Sequence, residues 1–421
     1  MNEFKFRKGK LYCEDVSIEA IAKKEGTPFY LYSKKTFLRH FDAFDGAFKS
    51  VRHITCFAVK ANSNIAILNL LAKAGAGADI VSGGELFRAK KAGFPSKKII
   101  FSGVGKSDEE IEYALRAGIL MFNIESSEEA ETINKIAAKI GKKAPVSFRI
   151  NPDIDPKTHP YISTGLSKNK FGISIDDALK EYKRANKMKW LDVVGIHYHI
   201  GSQLTSISPF VDSIKRMKRL LQILRSEGIN IKYFDMGGGL GITYKDETPP
   251  HPREYAKALI PHIKDLDCTV LFEPGRVIAG NAGILVTKVL FTKKTAVKNF
   301  VIVDAGMNDL LRPSLYGAYQ EIVPVKKSSK KKIEVDVVGP ICETGDFLAR
   351  DRLVAKVKRD DLLAVMSAGA YGFTMSSVYN SRPRVPEILA DGKNYYVIRK
   401  RETYKDLIRG EIIPKAQGRK S

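Results

Sequence analysis

From about residue 54 onward, short apolar runs alternate with stretches of helical periodicity such as Ser107–Ala117, Ser126–Ile140 and Pro209–Glu227. Eight of the apolar runs have the length of buried strands. They are Ile54–Val59, Ala78–Val81, Ile99–Ser102, Leu120–Ile124, Val146–Ile150, Val193–Ile200, Ile231–Met236 and Thr269–Phe272. This alternation predicts an α/β fold, a TIM-like (β/α)8 barrel of parallel strands surrounded by helices. The eighth run has no helix of its own, and the helical pattern Lys34–Lys49 is expected to complete the ring.

After about residue 280 the pattern changes to strands separated by turn residues. The predicted strands are Ile284–Thr292, Asn299–Asp304, Lys332–Val338, Leu353–Ala355 and Tyr395–Arg399. They predict a second, mostly β domain, in line with a length of 421 residues, which exceeds what one core usually supports. We expect residues 28–280 to form the barrel and residues 1–27 plus 281–421 to form the β-rich domain. The N-terminal strands, including Phe29–Tyr32, are also candidates for the β domain, because the barrel count is already full.

The composition, with 44% hydrophobic and 28% charged residues, is that of an ordinary globular protein. The first residues lack the apolar core of a signal peptide, and the apolar stretches are too short to span a bilayer. The cysteines have neither disulfide-framework nor metal-ligand spacing. We therefore expect a cytoplasmic protein without a membrane or metal partner. Cys13, Cys56 and Cys268 are expected to be small buried residues, whereas Cys342 is a candidate for chemistry.

The net charge of +23 suggests nucleic acid as one possible partner. However, the lysines are scattered, and the one dense run, Lys326–Lys332, is expected to form an exposed hairpin tip without interleaved aromatic residues. A basic surface that attracts an anionic cofactor and a dicarboxylic substrate is the better interpretation, so no nucleic-acid partner is expected.

Function in such a barrel lies where the strands end. Those positions carry Lys60, His199–Ser202, Gly237–Gly241 and Glu273–Arg276. A glycine-rich turn brings backbone N–H groups to a phosphate, although a simple tight turn has the same composition. His199 can stack on a flat ring or be a core histidine. A carboxylate such as Glu273, opposite a pyridine nitrogen, turns the ring into an electron sink. Together they predict pyridoxal 5'-phosphate held on Lys60 and the decarboxylation of an amino acid.

The loss of a carboxylate leaves a carbanion that needs a proton donor. The glycine-bounded loop Gly339–Asp346 contains Cys342 and Glu343, which are the candidate donor region.

Several motifs in the chain resemble those of the fold type III pyridoxal phosphate decarboxylases, relatives of ornithine decarboxylase and alanine racemase. The finer matches are similar to the diaminopimelate decarboxylases. The lysine motif of the wider family is Phe57–Asn62, and the finer matches are Ser82–Leu86, His159–Gly165, His197–Gln203, Asn308–Pro313 with Tyr316, Cys342–Glu343, Gly369–Gly372 and Asn380–Pro383. The resemblance spans nearly the whole chain and implies the decarboxylation of meso-2,6-diaminopimelate to L-lysine and CO2, the last step of lysine biosynthesis.

The resemblance also implies a role for each site residue. Lys60 would hold the cofactor, His199 would stack on its ring, and Glu273 would meet the pyridine nitrogen. The remaining cofactor contacts would be Ser202, Gly238, Gly239, Pro274, Gly275, Arg276 and Tyr371. The substrate contacts would be Arg276, Arg312, Tyr316, Glu343 and Tyr371, and Cys342 would be catalytic. Cys342 and Glu343 would reach the site from the partner subunit of a homodimer.

The substrate expectation also rests on charge. The far end of meso-diaminopimelate is a second amino-acid head, which needs a cation for its carboxylate and an anion for its amine. Arg312 with Arg276, and Glu343, supply these charges, and arginine suits a planar carboxylate.

Four alternatives stay open. Decarboxylases of ornithine, arginine or carboxynorspermidine share the fold, but their substrates lack that head. A racemase would need a second catalytic base in place of the loop with Cys342. A non-catalytic pyridoxal phosphate protein would be a single barrel, and a nucleic-acid protein would explain only the charge.

Overall fold

The computed structural model describes residues 2–154, 170–329 and 331–414. Within these residues eight parallel strands close into a barrel, in which the first strand pairs with the second and the eighth, and the fourth pairs with the fifth. Numbered one to eight along the chain, the barrel strands are His53–Ala58, Gly77–Ile80, Ile99–Phe101, Met121–Ile124, Ala144–Asn151, Leu191–His197, Tyr233–Asp235 and Thr269–Phe272. This confirms the predicted (β/α)8 barrel.

A helix follows each of the first seven barrel strands. These helices are Ile65–Lys73, Gly83–Ala92, Asp108–Ala117, Ser127–Ile140, Ile175–Asn186, Ser208–Ser226 and Pro252–Ile263. The helix before strand one, Lys34–Asp45, packs beside the first and the last of them and completes the ring as expected. The local sequence sets their ends: Ser107 and Glu110 form a capping box, and Gly118 ends the same helix with a φ of 67°. Strand eight is followed by a short helix of its own, Arg276–Ala279, which was not expected.

The two-residue strand Ile173–Ser174 pairs with barrel strand five, and the other described strands form two sheets outside the barrel. A three-stranded antiparallel sheet consists of Phe4–Arg7, Lys10–Cys13 and Val16–Ser17. A larger mixed sheet consists of Phe29–Ser33, Gly283–Lys294, Asn299–Val303, Ile322–Pro324, Lys332–Val338, Phe347–Ala355, Leu362–Val365, Glu387–Asp391 and Asn394–Arg399. The second part of the chain is therefore mostly β, as predicted.

The strand Phe29–Ser33 shows how the N-terminal segment joins this larger sheet. It pairs antiparallel with Gly283–Lys294 and parallel with Glu387–Asp391. The expected division at residue 28 assigns this strand to the barrel, whereas its pairing is with the β-rich part. Its five residues are fully buried, and their aromatic character suits a central strand.

The basic run at residues 326–332 is not a hairpin tip. The strand before it, Ile322–Pro324, pairs with Leu362–Val365, and the strand after it, Lys332–Val338, pairs with Phe347–Ala355. Because a hairpin requires the two flanking strands to pair with each other, that expectation was wrong.

The interior of the barrel contains polar side chains as well as apolar ones. Asp79, Asn123, Ser147, His197 and Asp235 are all buried on barrel strands. Buried polar groups of this kind are retained where they hold each other or a ligand. No helix among the described residues has both the length and the apolar character needed to cross a membrane.

Candidate active site

A cavity of about 310 Å³ lies at the carboxyl ends of the barrel strands. It is lined by residues from strand ends one, six, seven and eight, and by residues of the β-rich part. They are Phe44, Ala58, Lys60, His199, Ser202, Gly237, Gly238, Gly239, Leu240, Tyr255, Glu273, Pro274, Gly275, Arg276, Arg312, Tyr316, Tyr371 and Met375. Every sequence-predicted site residue is in this set except Cys342 and Glu343.

Lys60 lies in the turn Val59–Ala61 directly after strand one. Its Nζ is 2.7 Å from Oδ2 of Asp79, a fully buried carboxylate on strand two. Burial opposes the charge of Lys60, but the carboxylates of Asp79 and Glu273 outweigh it and raise the pKa of Lys60. Burial, with the nearby Glu273 charge, raises the pKa of Asp79. The carboxylates therefore hold Lys60 as an ammonium group, and Asp79 is the acceptor in contact with it.

The glycine-rich turn after strand seven leaves a strip of backbone uncovered. A Cβ on Gly238 would lie 2.3 Å from the carbonyl oxygen of Glu273. A Cβ on Gly239 would lie 2.5 Å from the carbonyl oxygen of Gly201, and the φ of Gly239 is 116°. Side chains are thus excluded here, and a phosphate can approach the backbone.

His199 is a neutral ring next to this turn. Its Nδ1 accepts a hydrogen bond of 3.1 Å from the Gly238 N–H. Burial and the positive charge of Arg149 lower the pKa of His199 to about 3. The side chain can therefore offer a flat, uncharged face.

Glu273 is a buried carboxylate that lies directly after strand eight. Its Oε1 is 3.3 Å from Nε2 of His197 and 3.4 Å from both the Ser102 hydroxyl and the Asn123 amide. Burial works against its charge, but His197 and Lys60 outweigh it and lower the pKa of Glu273. The carboxylate is therefore ionised at neutral pH.

Two buried arginines face the cavity with neutral neighbours. Arg276 donates to the Tyr244 hydroxyl at 2.7 Å and to Ser202 Oγ at 3.0 Å, and its Nε has no hydrogen-bond partner among the described residues. Nε of Arg312 is likewise buried without a partner in the described part of the chain, and its guanidinium lies over the rings of Tyr244 and Tyr316. Buried cations are costly unless an anion compensates them, so this side of the cavity suits anionic ligands.

Tyr371 connects the cavity to the turn that carries Lys60. Its backbone N–H donates to the Ala61 carbonyl at 2.8 Å, and its ring centroid is 4.9 Å from the Arg276 guanidinium. Its φ of 56° is rare for a residue with a side chain, which is typical of functional sites.

Residues 34–280 match the family model described as "Pyridoxal-dependent decarboxylase, pyridoxal binding domain". The chain belongs to the pyridoxal-dependent decarboxylase family. A diaminopimelate decarboxylase from Vibrio cholerae is 52% identical over 97% of this chain and 98% of its own length. A structure of diaminopimelate decarboxylase from Helicobacter pylori complexed with L-lysine has a TM-score of 0.90 at 45% identity, covering 93% of this chain and 98% of the other. A diaminopimelate decarboxylase structure from M. jannaschii, also in co-complex with L-lysine, has a TM-score of 0.93 at 42% identity, covering 98% and 99%.

In this member of the family, Cys342 and Glu343 are not among the residues that line the cavity of the single chain. Cys342 is exposed, and its N–H donates to Asn380 Oδ1 at 2.7 Å. The Ser314 hydroxyl donates to the Gly345 carbonyl at 2.6 Å, which fixes the loop against the helix that carries Arg312 and Tyr316. A contribution from a partner subunit stays a prediction. The other three cysteines are buried, as expected.

Sequence reasoning gave no role to four side chains at or below the cavity: Asp79, His197, Asp235 and Tyr244. Asp79 and Asp235 could have been noticed in the sequence because each is an acidic residue within an apolar run. No feature of the sequence around Tyr244 points to a role. The predicted motif at residues 159–165 lies outside the described residues.

Proposed function

We propose that this chain decarboxylates meso-2,6-diaminopimelate to L-lysine and CO2, with pyridoxal 5'-phosphate held on Lys60. One observation carries the proposal: a single cavity gathers a lysine amine, an ionised carboxylate, a glycine cradle and two buried guanidiniums that have no acidic partner in the part of the chain that the structure describes. The diaminopimelate decarboxylases that it resembles over nearly its full length support the same substrate.

The residues present fit the cofactor. The glycine turn, Ser202 and Arg276 would hold the phosphate, with Pro274 and Gly275 at its edge, because backbone N–H groups and a buried guanidinium both favour an anion. The neutral ring of His199 would stack on the pyridine ring, and Glu273 would face its nitrogen. When bound, pyridoxal phosphate supplies an electron sink for the bond to the departing carboxylate.

Lys60 must lose a proton from Nζ before the amine can act as a nucleophile. Oδ2 of Asp79, at 2.7 Å, is the acceptor within reach. Asp79 would also return a proton to Nζ whenever Lys60 is a free amine.

Arg312, Tyr316 and Tyr371 would bind the far head of the substrate. A guanidinium recognises a carboxylate through two parallel hydrogen bonds. Glu343 would bind the far amine and Cys342 would return a proton, both from the partner subunit of a homodimer. We place the enzyme in the cytoplasm, where a reduced thiol at Cys342 would persist.

The test is a CO2 release assay with the purified chain, pyridoxal phosphate and a panel of amino acids. Meso-diaminopimelate should release CO2 and yield L-lysine, and Lys60→Ala should abolish the release. Lys73→Ala, a change at the end of the helix Ile65–Lys73, is the matched control and should leave the rate unchanged. Faster turnover of ornithine, arginine or carboxynorspermidine would reassign the substrate, and no CO2 from any of them would overturn the proposal.

A further inference from the structure

Three ionisable side chains meet inside the barrel on neighbouring strand ends. His197 ends strand six, Asp235 ends strand seven, and Glu273 directly follows strand eight. His197 and Asp235 are register partners across the paired strands. One nitrogen or carboxylate oxygen from each of the three side chains lies within 4.8 Å of the others. All three residues are buried, and only Glu273 of the three lines the cavity.

Two buried carboxylates this close repel each other, and without compensation one of them takes up a proton. Neutral donors bridge them: the Asn123 amide is 3.2 Å from Asp235 Oδ2 and 3.4 Å from Glu273 Oε1. The Gly237 N–H donates to Asp235 Oδ1 at 3.0 Å. Such donors orient the carboxylates but do not neutralise their charges.

Lys60 and Arg149 also lie near this cluster, and each forms an ion pair with a carboxylate outside it. Nζ of Lys60 is at Asp79, and Arg149, the register partner of His197 on strand five, forms an ion pair with Glu125 at 3.2 Å. His199 is neutral at ordinary pH. His197, whose Nε2 is 3.3 Å from Glu273 Oε1, is the group in direct reach that becomes a cation when it is protonated.

We propose that His197 is a positioning residue. It stays protonated next to Glu273 and Asp235, and its positive charge keeps the Glu273 carboxylate ionised where that carboxylate faces the cavity. The inference rests on the proposed function, because an ionised Glu273 matters where it meets a pyridine nitrogen. Burial lowers the pKa of His197, but the charges of Glu273 and Asp235 outweigh it and raise that pKa overall. Burial and the charge of Glu273 raise the pKa of Asp235, so Asp235 competes with Glu273 for the proton of His197.

The first test uses the protein without cofactor or substrate. Nitrogen NMR of ¹⁵N-histidine-labelled protein reports the charge of each imidazole, and His197→Gln assigns the His197 signal by its loss. The wild-type His197 ring should remain an imidazolium at about pH 7.5, roughly one unit above the ordinary histidine pKa. A neutral His197 ring at that pH would overturn the proposal. Since no turnover is measured, a failure of the proposed function leaves this result interpretable.

The second test is the pH profile of kcat. Without the His197 cation, the pKa of Glu273 should rise. The acidic limb of the kcat profile of His197→Gln should therefore move to higher pH. At a given assay pH, kcat should fall about tenfold for each unit by which the pKa of Glu273 lies above that pH. Adding Asp235→Asn removes the competing negative charge, keeps an acceptor for Gly237, and should move the limb back.

A merely structural role of His197 predicts that the two losses add, because neither change would then compensate the other. Additive losses would therefore sink the proposal. His53→Gln is the matched control. Nε2 of His53 is also 3.3 Å from a carboxylate, that of Asp45, but His53 begins strand one and so lies at the end of the barrel opposite the cavity. The pH profile of kcat of His53→Gln should be that of the wild type.

Discussion

Arg312 offers a test of how the substrate is recognised. Its guanidinium is buried between aromatic rings with an unpartnered Nε, and burial lowers its pKa. A hydrogen bond to a charged group contributes about 1.5–3 kcal/mol, and this corresponds to about 10- to 150-fold in affinity. Arg312→Met should therefore weaken the binding of meso-diaminopimelate by that factor. The free energy of unfolding of the unliganded protein should stay the same or rise, because an uncompensated buried charge is removed.

Product inhibition shows which part of the substrate Arg312 binds. L-Lysine keeps the far amino-acid head after the other carboxylate has left, whereas 1,5-diaminopentane has no carboxylate. In Arg312→Met the inhibition constant for L-lysine should rise in parallel with KM, and that for 1,5-diaminopentane should not change. Arg401→Met is the control, because burial lowers the pKa of this half-buried arginine too, but Arg401 donates to the Pro28 carbonyl at 2.9 Å and lies outside the cavity. Equal weakening of both inhibitors would show that Arg312 acts through the shape of the cavity and would refute the charge argument.

Three further predictions concern the cofactor and the assembly. Borohydride reduction of the loaded protein should fix pyridoxal on the peptide that contains Lys60, as read by mass spectrometry; label on another lysine would contradict the assignment. Glu273→Gln should retain the cofactor, measured by its absorbance, but lower kcat by about 10²- to 10³-fold, because a charge aimed at the reacting system is lost; Glu181→Gln, on an outer helix, is the control. Cys342→Ala and Lys60→Ala should each be nearly inactive, and mixing them should restore up to about a quarter of the activity, since half of the dimers are mixed and each has one intact site of two. No recovery, with subunit exchange verified, would place the whole site in one chain.

Much of the cavity could be predicted because a barrel puts its chemistry at strand ends. Lys60, the glycine turn and Glu273 each come directly after an apolar run, so the strand pattern alone brings them to one face of the molecule. His199 lies two residues beyond strand six, and its place depended on a run that was predicted to end three residues too late. The predicted place of His199 is still correct, because the loop after strand six leaves the barrel at the same end in either case.

The polar barrel interior was missed for a physical reason. Asp79 and Asp235 are on strands whose other residues are mostly apolar, and one polar residue in such a run does not show whether it faces inward or outward. Their partners come from distant parts of the chain: Lys60 contacts Asp79, and Asn123 contacts Asp235. The hairpin predicted at residues 326–332 was wrong for a similar reason: the strands on either side of the run pair with other strands, and local composition does not reveal those pairings.

Negative and positive charges lie at different parts of the cavity wall, and this arrangement bears on the orientation in which a cofactor would bind. Glu273 presents a negative carboxylate at one part of the wall, and Arg276 presents a positive guanidinium next to Ser202 and the glycine turn. Pyridoxal phosphate is itself polar, with a dianionic phosphate at one end and a basic ring nitrogen at the other. In the reversed orientation, each negative charge of the phosphate at about 4 Å from Glu273 would be opposed by about 4 kcal/mol at an effective dielectric constant of about 20. A penalty of that size exceeds the net value of most single hydrogen bonds, about 1 kcal/mol. The electrostatics of the wall would therefore favour one orientation of pyridoxal phosphate before any single contact is considered, and that orientation would put the ring nitrogen at Glu273, in agreement with the role proposed for this residue.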